Sequence, residues 1–307
     1  MTGPATDPRD EGLACGAEPG GTAIEVTESR ASMVGSLPVR RALPLRARRT
    51  VGPWCFADLA GPVGEAGAGG IGPHPHIGLQ TVTWLLEGEL VHLDSLGSEQ
   101  PIRPGQLNLM TAGHGVVHAE ESRGSGALHA VQLWIAQPES TRHGTPTFEH
   151  HPDLPEVRLG SATATVLVGE VDGVASSARC DTRHVGADLR ADGSAVVPLD
   201  PSFEHAILVC DGSLTVDGST VAVGQLAYLP PGRADIDITA DSTSRALLLG
   251  GEPFPDEVVM WWNYVARTRD EVREAHLAWT NRDDRFGTVS SSLSAVDVAP
   301  PPWPTRL

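Results

Sequence analysis

The chain has 307 residues, of which 40% are hydrophobic, so it can bury one large core or two of ordinary size. It carries 22 Lys and Arg residues against 39 Asp and Glu residues, and its net charge of −17 repels nucleic-acid phosphates and anionic lipids. We therefore expect neither direct nucleic-acid binding nor membrane binding, and the lack of a long apolar run or a signal-like N-terminus predicts a soluble, cytoplasmic protein.

Most of the sequence has the pattern of short β-strands. Residues 1–22 are rich in Gly, Pro, Asp and Glu, with almost no large apolar side chain, which predicts a disordered tail. From Ile24 onward, short apolar runs rich in Val, Leu and Thr are separated by Gly, Pro and Asp, a pattern typical of an all-β fold. Two pairs of runs, joined by Glu87-Gly88 and by Asp211-Gly212, are predicted to form β-hairpins.

Two local features lie outside this strand pattern. Near the start of the strands is a basic stretch, which we interpret as a solvated or salt-bridged strand face rather than an anion or partner site. Its members are Arg40, Arg41, Arg46, Arg48 and Arg49. Near the C-terminus, the capping box Thr268-Arg269-Asp270-Glu271 predicts a short helix that packs against the β units through a face containing Val272, Ala275 and Trp279.

The two predicted hairpins belong to an internal repeat. Glu87-Gly88-Glu89-Leu90 matches Asp211-Gly212-Ser213-Leu214, and Gly105-Gln106-Leu107 matches Gly224-Gln225-Leu226. The repeat predicts two similar β units in tandem. Between them, the Pro- and His-rich stretch 137–155 is predicted to be a linker.

Four side chains of the first unit form a candidate metal site. His74 and His76 precede the first predicted hairpin, and His118 and Glu120 follow its partner strand. Residues i and i+2 of a strand project to the same side, so the two pairs can converge if their strands are neighbours. Three imidazoles and one carboxylate suit a divalent transition metal, with iron(II) favoured and Mn, Cu, Ni and Zn as alternatives.

The repeat supports a role for these four residues beyond packing. At equal offsets from the shared turn glycines, the second unit has different residue types: Pro198, Asp200, Asp237 and Thr239. If the histidines of the first unit were only surface or core residues, there would be no reason for all four positions to differ between the units while the turn residues match. We therefore predict metal binding in the first unit only, and interpret His92 and His114 as supporting or surface residues rather than ligands.

At these residues the chain resembles the pirins, a family of bicupin proteins. The resemblance covers about residues 30–280. The segments that carry it include Arg49-Thr50-Val51-Gly52-Pro53, Pro73-His74-Pro75-His76-Ile77-Gly78 and Met110-Thr111-Ala112-Gly113-His114-Gly115-Val116-Val117-His118-Ala119-Glu120. The family usually has Glu in place of Gln80 and often His in place of Leu59, differences that could alter the surroundings of the metal or the substrate pocket.

The resemblance implies two tandem cupin barrels, each a double-stranded β-helix or jelly roll, with a short C-terminal helix. It implies an N-terminal metal-binding cupin over 23–137, the linker over 138–155, a C-terminal cupin without metal over 156–290 and a tail over 291–307. It also implies iron bound by His74, His76, His118 and Glu120.

Two functions follow from the resemblance. The first is a quercetin 2,3-dioxygenase-like enzyme acting on a flavonol-like aromatic substrate, with Glu120 as the catalytic base. The second is an iron-dependent, redox-sensitive regulator that binds a transcription factor or metabolic enzyme through loops around 64–72, without turnover. A structural bicupin without metal is the third class that the sequence leaves open.

Overall fold

The computed structural model describes residues 23–35, 37–64, 69–122 and 127–303. The predicted tail over 1–22 therefore lies outside the described residues. The first half of the described chain forms β1 (Glu25–Glu28), β2 (Arg30–Val34), β3 (Leu37–Leu43), β4 (Trp54–Val63), β5 (Ile71–His76), β6 (Leu79–Glu87), β7 (Leu90–Asp94), β8 (Glu99–Ile102), β9 (Leu107–Thr111), β10 (Val116–Ser122), β11 (Leu128–Ala136) and β12 (Thr147–His151).

The second half continues with the same kind of short strand and ends in a helix. Its elements are β13 (Glu156–Leu159), β14 (Ala162–Val168), β15 (Glu170–Val171), β16 (Val174–Ala175), β17 (His184–Ala191), β18 (Ser194–Pro198), β19 (Glu204–Asp211), β20 (Ser213–Val216), β21 (Ser219–Ala222), β22 (Gln225–Leu229), β23 (Asp235–Thr239), β24 (Ser244–Gly251), β25 (Val259–Trp261), β26 (Tyr264–Ala266) and α1 (Arg269–Thr280). The predicted all-β fold with a short C-terminal helix is confirmed.

The strands form two barrels with the same plan. In the first, the seven-stranded sheet β12-β9-β6-β11-β4-β3-β2 faces the four-stranded sheet β5-β10-β7-β8. In the second, the sheet β1-β22-β19-β24-β17-β14-β13 faces β18-β23-β20-β21. The two orders correspond strand for strand, so the sequence repeat reflects a repeat of the whole barrel.

The two barrels share an apolar core. Alternate residues of the seven-stranded sheets, such as Leu59 and Leu133 of the first and Leu208 and Leu247 of the second, are buried in one cluster. Trp54 joins this cluster, and its indole Nε1 donates to the carbonyl oxygens of Val185 and Gly250, at 3.1 and 3.2 Å. One face of each large sheet therefore packs against the other barrel, and the opposite face is turned toward its own interior.

The predicted hairpins are wrong, although their strands form. After Gly88 the chain passes from β6, which pairs with β9 and β11, to β7, which pairs with β8 and β10 in the opposite sheet. Gly212 makes the same crossing between β19 and β20. Both glycines have positive φ, which suits a tight turn, but a tight turn does not decide whether the next strand pairs with the previous one.

The strand pairing departs from the predicted segments at three places. β1 pairs with β22 of the second barrel, although it lies in the segment assigned to the first. The stretch read as a linker contains β12, which pairs with β9. The chain after β24 returns to the first barrel, where Tyr264, Val272 and other residues of the C-terminal part pack against Ile77 and Val117. Proline-rich composition predicted a connection only at 137–155, where the pairing of β12 with β9 fixes part of the segment in the sheet.

The helix starts as its sequence predicts. Thr268 is the N-cap, and its side chain accepts a hydrogen bond from the backbone N–H of Glu271. Val272 and Ala275 are fully buried, and Trp279 packs against the same cluster. Within the described parts of the chain, no helix is long and apolar enough to cross a membrane.

Candidate metal centre

The two predicted ligand pairs lie on neighbouring strands. β5 pairs with β10 in the four-stranded sheet, and His118 is the direct cross-strand partner of His74. His74, His76, His118 and Glu120 are all buried and all line one cavity in the first barrel. The alternation of side chains along a strand therefore brings the four residues to one side of this sheet.

Backbone carbonyls orient two of the imidazoles. His74 Nδ1 lies 2.8 Å from the oxygen of Gly72, and His76 Nδ1 lies 3.0 Å from the oxygen of Asn263, in the turn between β25 and β26. A carbonyl oxygen only accepts, so each Nδ1 carries the proton and each Nε2 has a free lone pair.

A buried histidine and carboxylate orient the third imidazole. His92 Nε2 lies 3.0 Å from Asp94 Oδ2, and His92 Nδ1 lies 3.4 Å from His118 Nδ1. Because the Asp94 carboxylate accepts, His92 donates to it through Nε2 and accepts from His118 through Nδ1. His118 Nε2 is then left with a lone pair as well. Phe148 of β12 stacks on the His92 ring at 4.3 Å.

The resulting arrangement fits a cation. The Nε2 atoms of His76 and His118 are 3.1 Å apart, and with the tautomers above both are acceptors that repel each other unless a positive ion lies nearby. Two nitrogens bound to one metal at about 2.1 Å and at right angles are separated by roughly 3 Å. His74, His76 and His118 form one group of mutually close donor atoms.

The pKa shifts of these groups favour metal binding at neutral pH. Burial lowers the pKa of His74 to about 4 and, with the nearby histidines, holds the pKa values of His76 and His118 well below the ordinary range. The imidazoles are therefore neutral and need lose no proton before they bind a metal. Burial raises the pKa of Asp94, but hydrogen bonds from His92 and Ser98 outweigh it and keep the pKa low.

Glu120 lies beside the three imidazoles rather than within their donor group. Its carboxylate forms a second group of close donor atoms with His92 and His118. Thr83 Oγ1 donates to Glu120 Oε1 at 2.9 Å, and burial raises the pKa of Glu120. The structure thus places Glu120 at the edge of the site, with one oxygen held by Thr83.

The cavity next to these residues has a volume of about 210 Å³. Its walls are mostly apolar, and Phe56 and Trp134 form a stacked pair with ring centroids 4.0 Å apart. The Trp134 ring packs edge-on against His76 at 5.2 Å. From the C-terminal part of the chain, Trp262 and Val296 also line the cavity. Phe56 and Trp134 therefore form an aromatic wall of the cavity, which begins next to His76.

Sequence reasoning missed one pair of residues at this site. Arg41 and Asp58 form a salt bridge, as one interpretation of the basic stretch expects, but the pair is buried and lines the cavity instead of lying on a solvated face. The alternation of Leu37, Val39 and Arg41 on the inward face of β3 was the available signal. His92 lies beside His118, which agrees with its interpretation as a supporting residue, and His114 is exposed, with Nδ1 near the oxygen of Gly144.

The two departures from the pirin pattern lie away from the cavity. Leu59 packs in the core between the barrels, and Gln80 donates to Thr111 Oγ1 at 2.9 Å. Neither lines the cavity. Equal offsets place Asp237 and Thr239 at the positions of His118 and Glu120, but both are exposed on β23. The strand pairing instead places Ile238 opposite Val216 of β20, as Glu120 lies opposite His92 of β7, and Ile236 and Ile238 are buried in the core of the second barrel.

Comparison with known proteins decides the family. Residues 36–135 match the Pirin family, and residues 184–287 match the Pirin C-terminal cupin domain. This chain belongs to the pirin family. Its two barrels are accordingly cupin domains, as the resemblance implies.

Other pirin-family members and solved structures align along most of the chain. A Pseudomonas aeruginosa protein named a putative quercetin 2,3-dioxygenase is 46% identical over 284 residues, which cover 91% of this chain and 90% of that protein. A pirin-like protein of Caulobacter vibrioides is 34% identical and covers 83% of this chain and 92% of its own length. The crystal structure of quercetin 2,3-dioxygenase from Acinetobacter baumannii superposes with a TM-score of 0.88 at 44% identity, covering 92% of this chain and 97% of that chain.

Proposed function

We propose that this pirin-family chain is a metal-dependent dioxygenase of quercetin type, which opens a flavonol-like substrate. The observation that carries the proposal is the group of three imidazoles whose donor nitrogens lie within 4.8 Å of one another at the wall of a mostly apolar cavity. The names of the Pseudomonas and Acinetobacter proteins agree with it.

We propose iron as the metal, with Mn, Cu, Ni and Zn as alternatives, and His74, His76, His118 and Glu120 as its ligands. Neutral imidazoles with one carboxylate suit this group of divalent ions. When bound, the metal supplies Lewis acidity toward substrate oxygens and reactivity toward dioxygen.

The protein side chains account for the remaining steps. The stacked pair of Phe56 and Trp134 provides an aromatic wall against which a substrate can pack with its 3-hydroxyl directed toward the histidines. Glu120, displaced from the metal or held beside it, takes the proton of that hydroxyl, and its raised pKa brings it closer to the neutral range in which a general base works best. Thr83 holds one carboxylate oxygen, so the other oxygen accepts the proton.

The test is oxygen consumption together with loss of the flavonol absorbance band. Iron-loaded wild type is expected to show both, and His76→Ala and Glu120→Ala are expected to lose both by at least 100-fold. His114→Ala is the matched control because this histidine is exposed, and it should behave as wild type.

An iron-bound wild type that consumes no oxygen with quercetin would overturn the enzyme proposal. That result would favour the second hypothesis, a redox-sensitive regulator with a protein partner. A partner pull-down that differs between reduced and oxidised iron-loaded protein would then support it. Residues 65–68 of the loop on which the regulator hypothesis depends lie outside the described residues.

A further inference from the structure

A row of polar side chains crosses the interior face of the first barrel. Arg41 on β3 pairs across the sheet with Asp58 on β4, Asp58 pairs with Gln132 on β11, and Gln132 pairs with Thr83 on β6. All four line the same cavity as the candidate metal ligands. The row ends at Glu120, to which Thr83 donates.

The charged end of the row is buried, and one of its hydrogen-bond donors has no partner among the described residues. Arg41 donates to both oxygens of Asp58, through Nε at 2.7 Å and Nη2 at 2.5 Å, and the two side chains are 1% and 3% exposed. Arg41 Nη1 is buried and has no hydrogen-bond partner among the described residues. A buried donor without a partner is costly, so its presence beside a cavity indicates a ligand that accepts from it.

The second barrel shows that the fold does not need this row. Its equivalent strands pair Val166 with Ala187, Ala187 with Leu248, and Leu248 with Ile207. These four apolar residues occupy the positions of Arg41, Asp58, Gln132 and Thr83, and all are buried in the core. The polar row is therefore specific to the barrel with the candidate metal centre.

The aromatic wall connects the two ends of the cavity. The Arg41 guanidinium lies 4.5 Å from the centre of the Phe56 ring, Phe56 stacks on Trp134, and Trp134 packs against His76. An aromatic ligand that packs against the edges of these stacked groups can therefore reach from the histidines to the guanidinium.

We propose that Arg41, held by Asp58, is a specificity-determining residue that binds oxygens on the end of an aromatic ligand remote from the metal. Arg41 donates through Nη1 to a hydroxyl or phenolate oxygen, and Asp58 keeps the guanidinium in place. The inference rests on the proposed function for the class of ligand. It predicts preference for flavonols with a hydroxylated remote ring over flavonols without one.

The experiment compares binding of two flavonols to iron(II)-loaded protein without dioxygen, so that no turnover occurs. Quercetin carries hydroxyl groups on its remote ring, and 3-hydroxyflavone keeps the 3-hydroxyl and carbonyl but lacks those groups. Isothermal titration calorimetry of wild type is expected to show a preference for quercetin of roughly 10- to 100-fold, as for one hydrogen bond to a charged group.

Two variants keep the test independent of folding. Arg41→Met combined with Asp58→Leu replaces the ion pair with apolar side chains, a change that buried pairs commonly tolerate, and should reduce the preference to within about twofold. Arg41→Lys keeps the charge but loses the planar fork, and should give an intermediate preference. Arg40→Met is the matched control, because Arg40 is exposed on the other face of β3 and donates to the oxygen of Val223.

A double variant that retains the wild-type preference, or a wild type that shows none or binds neither flavonol, would overturn the inference. The proposed function is judged separately by oxygen consumption in air. An intact preference without oxygen consumption would contradict the dioxygenase alone, and turnover without any preference would contradict only the role of Arg41.

Discussion

The interiors of the two barrels differ although their strand orders correspond. The second barrel is filled by a continuous core in which residues from both of its sheets, such as Leu189, Val197, Leu214 and Ile236, are buried together. The first has a cavity of about 210 Å³ and buried histidines in the corresponding region. A barrel that keeps a cavity and buried polar side chains buries less apolar surface, so the filled barrel and the shared core supply stability that the first interior lacks.

Removing a candidate ligand should have the largest effect, and only in the first barrel. His118→Ala is expected to weaken iron binding by at least about 100-fold, since it removes the imidazole common to both groups of donor atoms. His205→Ala, in the second barrel, should leave iron content unchanged. Iron per chain after dialysis, measured by elemental analysis, checks both, and equal loss in the two variants would contradict the assignment of metal binding to one barrel.

Exchanging the residue types of Thr83 and Ile207, which occupy equivalent positions in the two barrels, tests whether the two interiors differ in packing. Ile207→Thr should lower the free energy of unfolding by about 2–4 kcal/mol, because it replaces an ethyl group of a packed core with a buried hydroxyl. Thr83→Ile should lower it by less, about 1–2 kcal/mol, because the cavity that Thr83 lines accepts the larger side chain and the loss comes from the hydrogen bond to Glu120. Urea unfolding measures both changes, and similar losses at the two positions would show that the first interior is packed as tightly as the second.

Acid should destabilise the second barrel through two buried histidines. Burial lowers the pKa values of His184 and His205 to about 4, although Asp181 and Asp200 partly oppose the shift. An unfolded histidine titrates near 6.5, so the unfolded state binds more protons between pH 6.5 and 4, and stability falls as the pH decreases through this range. The loss is up to about 1.4 kcal/mol per histidine for each pH unit.

Urea unfolding of wild type and of His184→Gln with His205→Gln, at pH 7.5, 6.5 and 5.5, checks this expectation. The double variant should lose part of the pH dependence whether or not iron is bound, because neither histidine is a candidate ligand. A pH dependence that iron abolishes completely would place all of the acid sensitivity in the first barrel instead.

The smallest expected effect concerns the helix that closes one side of the first barrel. Thr268→Ala removes the side-chain acceptor for the Glu271 N–H and should cost about 1 kcal/mol. Thr268→Ser keeps the acceptor and should remain close to wild type. Thermal unfolding of the two variants distinguishes a capping contribution from loss of the threonine methyl group.

Local sequence signals predicted the features that depend on short spacings. The i and i+2 positions of His74 and His76, the repeated turn glycines and the capping box each act within a few residues, so their geometry follows from strand or helix periodicity. The partner of β7 could not be found this way, because the Glu87-Gly88 turn permits both a hairpin and a crossing to the opposite sheet.

Contacts between distant segments were beyond the reach of local signals. The oxygen of Asn263 that orients His76 belongs to the backbone, so no residue type reveals it. Arg41 had a clearer sequence signal, because it alternates with apolar residues on β3. A basic stretch in an acidic chain nevertheless suggests an exposed strand, and the sequence does not show which face of β3 points into the barrel. His92 likewise became a neighbour of His118 only through the pairing of β7 with β10.

The contact between His76 and Asn263 bears on when the metal centre is completed during synthesis. His76 leaves the ribosome 187 residues before its carbonyl partner, and strands β13 to β24 of the second barrel are translated between them. A nascent chain that has released only the first barrel still lacks the acceptor that orients this imidazole. Correct loading of the proposed metal would therefore depend on completion of nearly the entire polypeptide, and a prematurely terminated chain would lack a properly built site even though all four candidate ligands are present.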